Sequence, residues 1–209
     1  MRARLLSLLP GILMGASCAH HVVLDRAPSA TAPVEVRRAF FDDHSLAKPD
    51  RGELSVRTRL FDKTPTVARR HATLRNGTPI ERVEDLRPLV PEGSAASKAM
   101  DQAVDARGRA DALMASGAAV AGLGLAAGFA LVGTDLGIFP GTARVPTQEA
   151  IAPPLTLGGI GAAAGGALIG GFLVAFGSMA RDEGDDATSA AFGAFDADLR
   201  RGLALDAAP

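Results

Sequence analysis

The stretch "ALMASGAAVAGLGLAAGFALVGT", Ala112 to Thr134, runs for 23 residues without an ionisable side chain. As an α-helix it is about 34 Å long, enough to cross the hydrocarbon core of a bilayer. Upstream, Ser94 is a natural N-cap, and no proline occurs between it and Phe139, so one helix is predicted to begin among charged residues and continue through the uncharged run. Charges persist to Asp111 and then stop. A second uncharged run, Ala150 to Ala180, is free of proline for 26 residues from Leu155. The segment between the runs carries Pro140, Pro146, Pro153 and Pro154, which stop either helix from continuing. A helical hairpin follows.

Only eight side chains in the first run are large and apolar, a modest number for a lone membrane helix. Glycine spacing compensates. Gly124 and Gly128 lie four apart, as do Gly161 and Gly165, and Gly166 and Gly170; small residues at that interval form strips that let two backbones approach closely in lipid. These six glycines are the predicted packing residues. The competing reading is a soluble Ala/Gly-packed helix pair sheltered by other elements or subunits.

Beyond the hairpin, Phe192, Phe195, Leu199 and Leu203 recur at intervals of three and four, the stripe of an amphipathic C-terminal helix. Its expected partner is the charged first half of the long helix, Lys98 to Asp111, because a hairpin returns both ends to one side. Between the N-terminal region and Ser94 the pattern is that of a small soluble α+β unit. "ELSVRTRLF", Glu53 to Phe61, alternates like a half-buried strand. Asn76-Gly77 between two short runs predicts a hairpin with a tight primed turn, both central residues at positive φ. "VEDLRPLV" reads as a turn or two of helix broken by Pro88 and Pro91. The fold class expected is therefore mainly α: a Gly/Ala-rich hairpin, read as a transmembrane pair, plus a small α+β region with a β-hairpin and a C-terminal amphipathic helix.

Composition narrows the function. Hydrophobic residues make up 47% of the 209, yet Trp and Tyr are absent and aromatics reach 4%, so the apolar character lies in Ala, Leu, Val and Gly. With 22 basic and 23 acidic residues there is no cationic excess for nucleic-acid binding. The lone cysteine, Cys18, excludes an intrachain disulfide.

That cysteine has a distinctive setting. Arg2 and Arg4 precede an apolar segment, Leu5 to Met14, too short to span a membrane, and Gly15, Ala16 and Ser17 supply small residues before Cys18. "GASC" resembles the lipobox of bacterial lipoproteins, although Gly15 stands where that family prefers Leu. The resemblance covers residues 1–21 and implies cleavage before Cys18, diacylglycerol on its sulfur and acylation of the new amino terminus. Ala19, in place of Asp, implies the outer membrane by the enteric rule. The closing "AFGAFDADLRRGLAL" resembles the ending of uncharacterised bacterial envelope proteins with two hydrophobic helices; Phe195 and Asp196 replace a Tyr-Asn pair there, and no role is carried across. The expected organisation is a signal peptide over 1–17, lipidated Cys18 and tether over 18–36, a soluble region over 37–93, long helix and hairpin over 94–183, and C-terminal helix and tail over 184–209.

Lipidation puts residues up to Asp111 outside the cytoplasm. The positive-inside rule leans the other way, since the linker offers Arg144 alone whereas Lys98, Arg107, Arg109 and Arg181 flank the outer ends. Precedence goes to the lipobox.

Catalytic patterns are sparse. "FFDDHS" groups Asp42, Asp43 and His44, a conceivable start of a metal site and more plainly a turn; His20 and His21 read as solvated tether, and His71 begins a predicted strand without a partner. "GGIGAAAGG", Gly158 to Gly166, lacks the strand before and the Lys-Ser/Thr after that a phosphate loop needs, and "RDEGDD", Arg181 to Asp186, reads as a solvated boundary. The expectation is a non-enzymatic envelope protein without metal or cofactor, with membrane lipid and a second copy or another envelope protein as partners. A glycine-hairpin pore is the alternative, and a metal-dependent enzyme built on Asp42, Asp43 and His44 the remote third.

Overall fold

The computed structural model describes residues 22–58, 65–139 and 154–206. Its elements in chain order are helix α1 (Val34–His44), strands β1 (Leu54–Thr58), β2 (Pro65–Arg69), β3 (Ala72–Thr73) and β4 (Pro79–Ile80), a 3₁₀ segment Val83–Leu89, and two long helices, α2 (Ala95–Asp135) and α3 (Pro154–Gly202). The fold is mainly α with a small α+β region, and α2 and α3 lie antiparallel along each other.

Helix α2 starts where its first turn is best satisfied. Ser94 Oγ accepts the Ser97 amide at 3.2 Å, and the Asp198 carboxylate of α3 accepts the Ala96 amide at 2.7 Å, so two of the four orphan N–H groups are capped. Its end differs from expectation. Gly137, at φ +64°, closes a Schellman motif in which Ile138 N–H reaches Gly133 O (2.9 Å) and Gly137 N–H reaches Thr134 O (3.1 Å). The helix therefore stops before Pro140 and needs no proline to do so. Across the gap, Asp135 Oδ2 accepts both the backbone N–H (2.6 Å) and the hydroxyl (2.8 Å) of Thr156 in the first turn of α3. Each long helix thus caps the amino end of the other with an aspartate.

Helix α3 continues without a break across residue 183, so the C-terminal amphipathic segment is its last third and not a separate helix. It ends in the same 6→1, 5→2 bond pattern, with Leu205 N–H to Arg200 O and Ala204 N–H to Arg201 O, but Ala204 takes the left-handed position at φ +50°. The Arg37 guanidinium of α1 donates to the Leu203 and Ala204 carbonyls there.

The polar ends of α2 and α3 form a head with its own core. Phe192, Phe195, Leu199 and Leu203 of α3 pack with Ala96, Ala99, Met100 and Ala103 of α2, and Ile80, Val83, Leu86 and Leu89 close the remaining side. This is the pairing that the stripe on the last third of α3 predicts. Leu24 and Ala27 also pack against the core, so the expected tether leans on the head at its far end. The sheet component is two separate antiparallel pairs, β1 with β2 and β3 with β4. In the second, the turn differs from the primed one predicted: Gly77 alone has positive φ (+88°), Gly77 N–H reaches Leu74 O, and Leu74 N–H reaches Thr78 O. That is a type I turn with a glycine bulge. Asn76 is spared positive φ because its own amide is held by Asp43 O at the end of α1.

Candidate functional site: a glycine-lined seam inside an uncovered apolar belt

Along the uncharged runs the helices meet through glycine. A Cβ placed on Gly124 would lie 2.6 Å from Gly166 Cα, and one on Gly166 equally close to Gly124 Cα. Gly117 and Gly170 face each other's carbonyl oxygens at 2.7 and 2.5 Å from the same construction, as do Gly128 and Gly159 at 2.6 and 2.7 Å. Nothing larger than hydrogen fits. The hydrogens standing in those directions point at carbonyls, a geometry for Cα–H···O contacts.

Four of the six predicted glycines, Gly124, Gly128, Gly166 and Gly170, are therefore in the seam. Gly161 and Gly165 are not. A Cβ at either meets nothing within 4 Å, because at 100° per residue they fall on the outer face of α3. The interval of four missed Gly117, Gly159 and Gly177, whose added Cβ would strike Gly170 O, Gly128 O and Met114 Cγ at 2.7 Å each. A better signal was present. Gly117, Ala121, Gly124 and Gly128 on α2, and Gly159, Ala163, Gly166 and Gly170 on α3, share one pattern, Gly-x₃-Ala-x₂-Gly-x₃-Gly. Alternation of fours and threes keeps one face toward a partner, as in a coiled coil. Antiparallel pairing of two equal strips produces local two-fold symmetry: Gly117 opposes Gly170 as Gly159 opposes Gly128, Ala121 packs on Gly170 as Ala163 packs on Gly128, and Gly124 and Gly166 meet near the axis.

Because small residues fill the seam, large ones point outward. Leu123, Leu125 and Phe129 of α2 and Ile160, Leu168, Ile169, Phe172 and Phe176 of α3 are each more than half exposed. Only 11% of the most apolar window of α2 and 17% of that of α3 are buried. Both helices are long and apolar enough to cross a membrane, and none of the other described residues covers the belt they form. An uncovered apolar surface of this extent on a single chain marks a membrane or partner contact. The belt has sharp limits: Asp111 and Arg181 on one side, Asp135 on the other. Two of its few hydroxyls turn inward to their own backbone, Thr134 Oγ1 donating to Ala130 O and Ser178 Oγ to Ala175 O, both at 2.7 Å.

Two cations near the head end of the belt, Arg107 and Arg109, are held within the head. Arg107 lies 3.7 Å from Glu84 and donates to Thr188 Oγ1 at 2.9 Å; Arg109 meets Glu183 at 3.2 Å. At the end of α1, His44 stacks on Phe40, with ring centroids 3.9 Å apart, and its Nδ1 bonds the Phe40 carbonyl at 3.0 Å. That contact satisfies the imidazole locally and turns it away from Asp42 and Asp43. Among the described residues no group of three His, Cys, Asp or Glu side chains gathers at metal-binding distance. Cys18, His20, His21 and the proline-rich linker lie outside the described residues. Comparison with known protein families, curated proteins and solved structures finds no match to this chain.

Proposed function

We propose that this protein is a lipid-anchored component of the bacterial cell envelope with a structural or scaffolding role, its hairpin embedded in a membrane and its head displayed beside it. The observation that carries the reading is the uncovered belt of Leu, Ile and Phe, bounded at both ends by charge, on two helices that spend their glycines on each other. In water such a belt is costly to leave bare, at ~25 cal/mol per Å² of apolar surface; in lipid it is already in its preferred medium. Lipidation at Cys18 rests on the lipobox resemblance and supplies a second hold on the same membrane. Membrane lipid is then the first partner. The outer strip of Gly158, Gly161 and Gly165 leaves room for a second copy or another envelope helix to approach.

The pore alternative needs a polar stripe to line its lumen. Ser116, Thr134 and Ser178 are nearly the only hydroxyls within or bordering the two runs, and two of them are tied to their own helices, which favours the scaffold.

The test is extraction of a Cys18→Ala variant, expressed with a cleavable secretion leader so that no acyl chain is attached. Retention in the membrane pellet after alkaline carbonate is expected; release into the supernatant would sink the embedded hairpin. Intact mass of the wild-type protein, showing a diacylglyceryl adduct on the residue at 18, checks the anchor separately.

A further inference from the structure

Where the belt meets the head there is a polar cavity of about 560 Å³, walled by the residues that follow β2 and β4 and by α2 and α3. Its lining carries both signs, Arg70, Arg107 and Arg181 on one hand and Glu81, Asp111 and Asp185 on the other, with the His71 imidazole among them. Part of this charge is internally settled, Arg70 lying 3.6 Å from the largely buried Asp185. Glu81, Asp111 and Arg181 are exposed, and among the described residues none of the three forms an ion pair. The position is as telling as the chemistry. Asp111 and Arg181 are the last charges before the uncharged runs of α2 and α3, so an embedded hairpin holds this cavity at the depth of the lipid phosphates.

We propose that the cavity binds the headgroup of a zwitterionic phospholipid bearing a primary ammonium, phosphatidylethanolamine in chemical class. The inference rests on the membrane reading above and deepens it. Guanidinium groups bind phosphate oxygens in a planar, two-point fashion, which assigns the phosphodiester to Arg181 with Arg70 beside it. A primary ammonium carries three N–H donors, which assigns it to the carboxylates of Asp111 and Glu81. Choline offers no N–H donor and is recognised by aromatic faces; no aromatic side chain other than the His71 imidazole lines this cavity. A glycerol headgroup lacks the positive charge and leaves the two carboxylates facing each other and the phosphate. The volume lies within the range of small-ligand sites, and Ala110, Asp111 and Arg181 in its lining set it beside the start of the apolar belt, along which acyl chains would run.

The test uses the full chain in mixed detergent micelles with equal amounts of phosphatidylethanolamine, phosphatidylcholine and phosphatidylglycerol, read by native mass spectrometry. Ethanolamine lipid is expected to be retained about tenfold over each of the others, the factor one net charge-assisted hydrogen bond provides. Asp111→Asn should bring retention to parity, Arg181→Gln, which removes the partner of the phosphodiester common to all three lipids, should lower retention of all three, and Asp105→Asn, an exposed acid elsewhere on α2, should leave both amount and preference unchanged. Equal retention of the three lipids by the wild type, a preference surviving Asp111→Asn, or unchanged retention of all three by Arg181→Gln overturns the proposal. Soluble O-phosphoethanolamine separates the sources: tight binding of it with no lipid preference would make the ligand a small phosphate ester and overturn the lipid assignment. Flotation with pure phosphatidylcholine vesicles separates the two levels of argument. A chain that floats without headgroup preference loses the cavity proposal alone, and one that fails to float loses the embedded hairpin with it.

Discussion

Asp198 shows how a single buried side chain ties the two ends of the head together. It is 2% exposed, accepts the Ala96 amide at 2.7 Å, and meets the guanidinium of Arg201 at 2.6 Å. A carboxylate at a helix N-terminus gains from both the hydrogen bond and the helix dipole. Asp198→Ala leaves an amide without its partner in a dry site, and is expected to cost the head about 2 kcal/mol, read as a lowered urea midpoint with unchanged slope. Arg69 is a second such point. It bonds Glu53 at 2.7 Å with both side chains 13% exposed, reaches the Ala47 carbonyl, and lies 5.6 Å from the Phe192 ring centroid, so the β1–β2 pair is fastened to α3 by one guanidinium. Ala204 carries a different message. An alanine at positive φ is unfavourable, and it is held there because the carbonyls beside it are claimed by Arg37.

At the scale of the helix, the seam and the outer face make opposite predictions for the same chemical change. Gly124→Leu or Gly166→Leu drives a branched side chain into backbone 2.6 Å away, so the helices must part; spin labels at Leu136 and Leu157, in a Cys18→Ala background, should report a longer and broader distance. Gly161→Leu meets open space and gains about 0.8 kcal/mol of helix propensity, so its label distance should match the parent. Equal behaviour of the three variants would remove the seam. Much of this architecture was legible in advance. The uncharged runs, Ser94 as cap and the spacing of Phe192, Phe195, Leu199 and Leu203 are local or periodic signals, and they located both helices and the head contact. What escaped was whatever depended on facing. An interval of four between glycines says that they share a face, not which face, so it does not separate Gly161 and Gly165, on the outer side of α3, from the glycines of the seam. Helix α1 escaped because "RRAFFDD" has weak periodicity and is held by contacts distant in sequence, such as Arg37 with the end of α3. The primed turn failed because α1 holds the Asn76 amide, a restraint no hairpin rule contains.

For the whole molecule, the proposed embedding carries a prediction about which way the hairpin faces. A lipidated Cys18 would place the head outside the cytoplasm, whereas Lys98, Arg107, Arg109 and Arg181 at the head end of the belt favour the cytoplasmic side. Thiol labelling decides it, since an acylated Cys18 does not react. A cysteine replacing Thr147 in the linker should be shielded from a membrane-impermeant maleimide in intact spheroplasts, while one replacing Arg51 in the head is modified; the reverse pattern would invert the topology. Helices α2 and α3 cross the boundary between head and belt with no proline and no break in the helix. The head is therefore mounted without a swivel. A rod pair longer than the local lipid thickness accommodates by leaning; embedded as proposed, this pair would pass its lean to the head, and a thinner bilayer would present the same surface at a steeper angle.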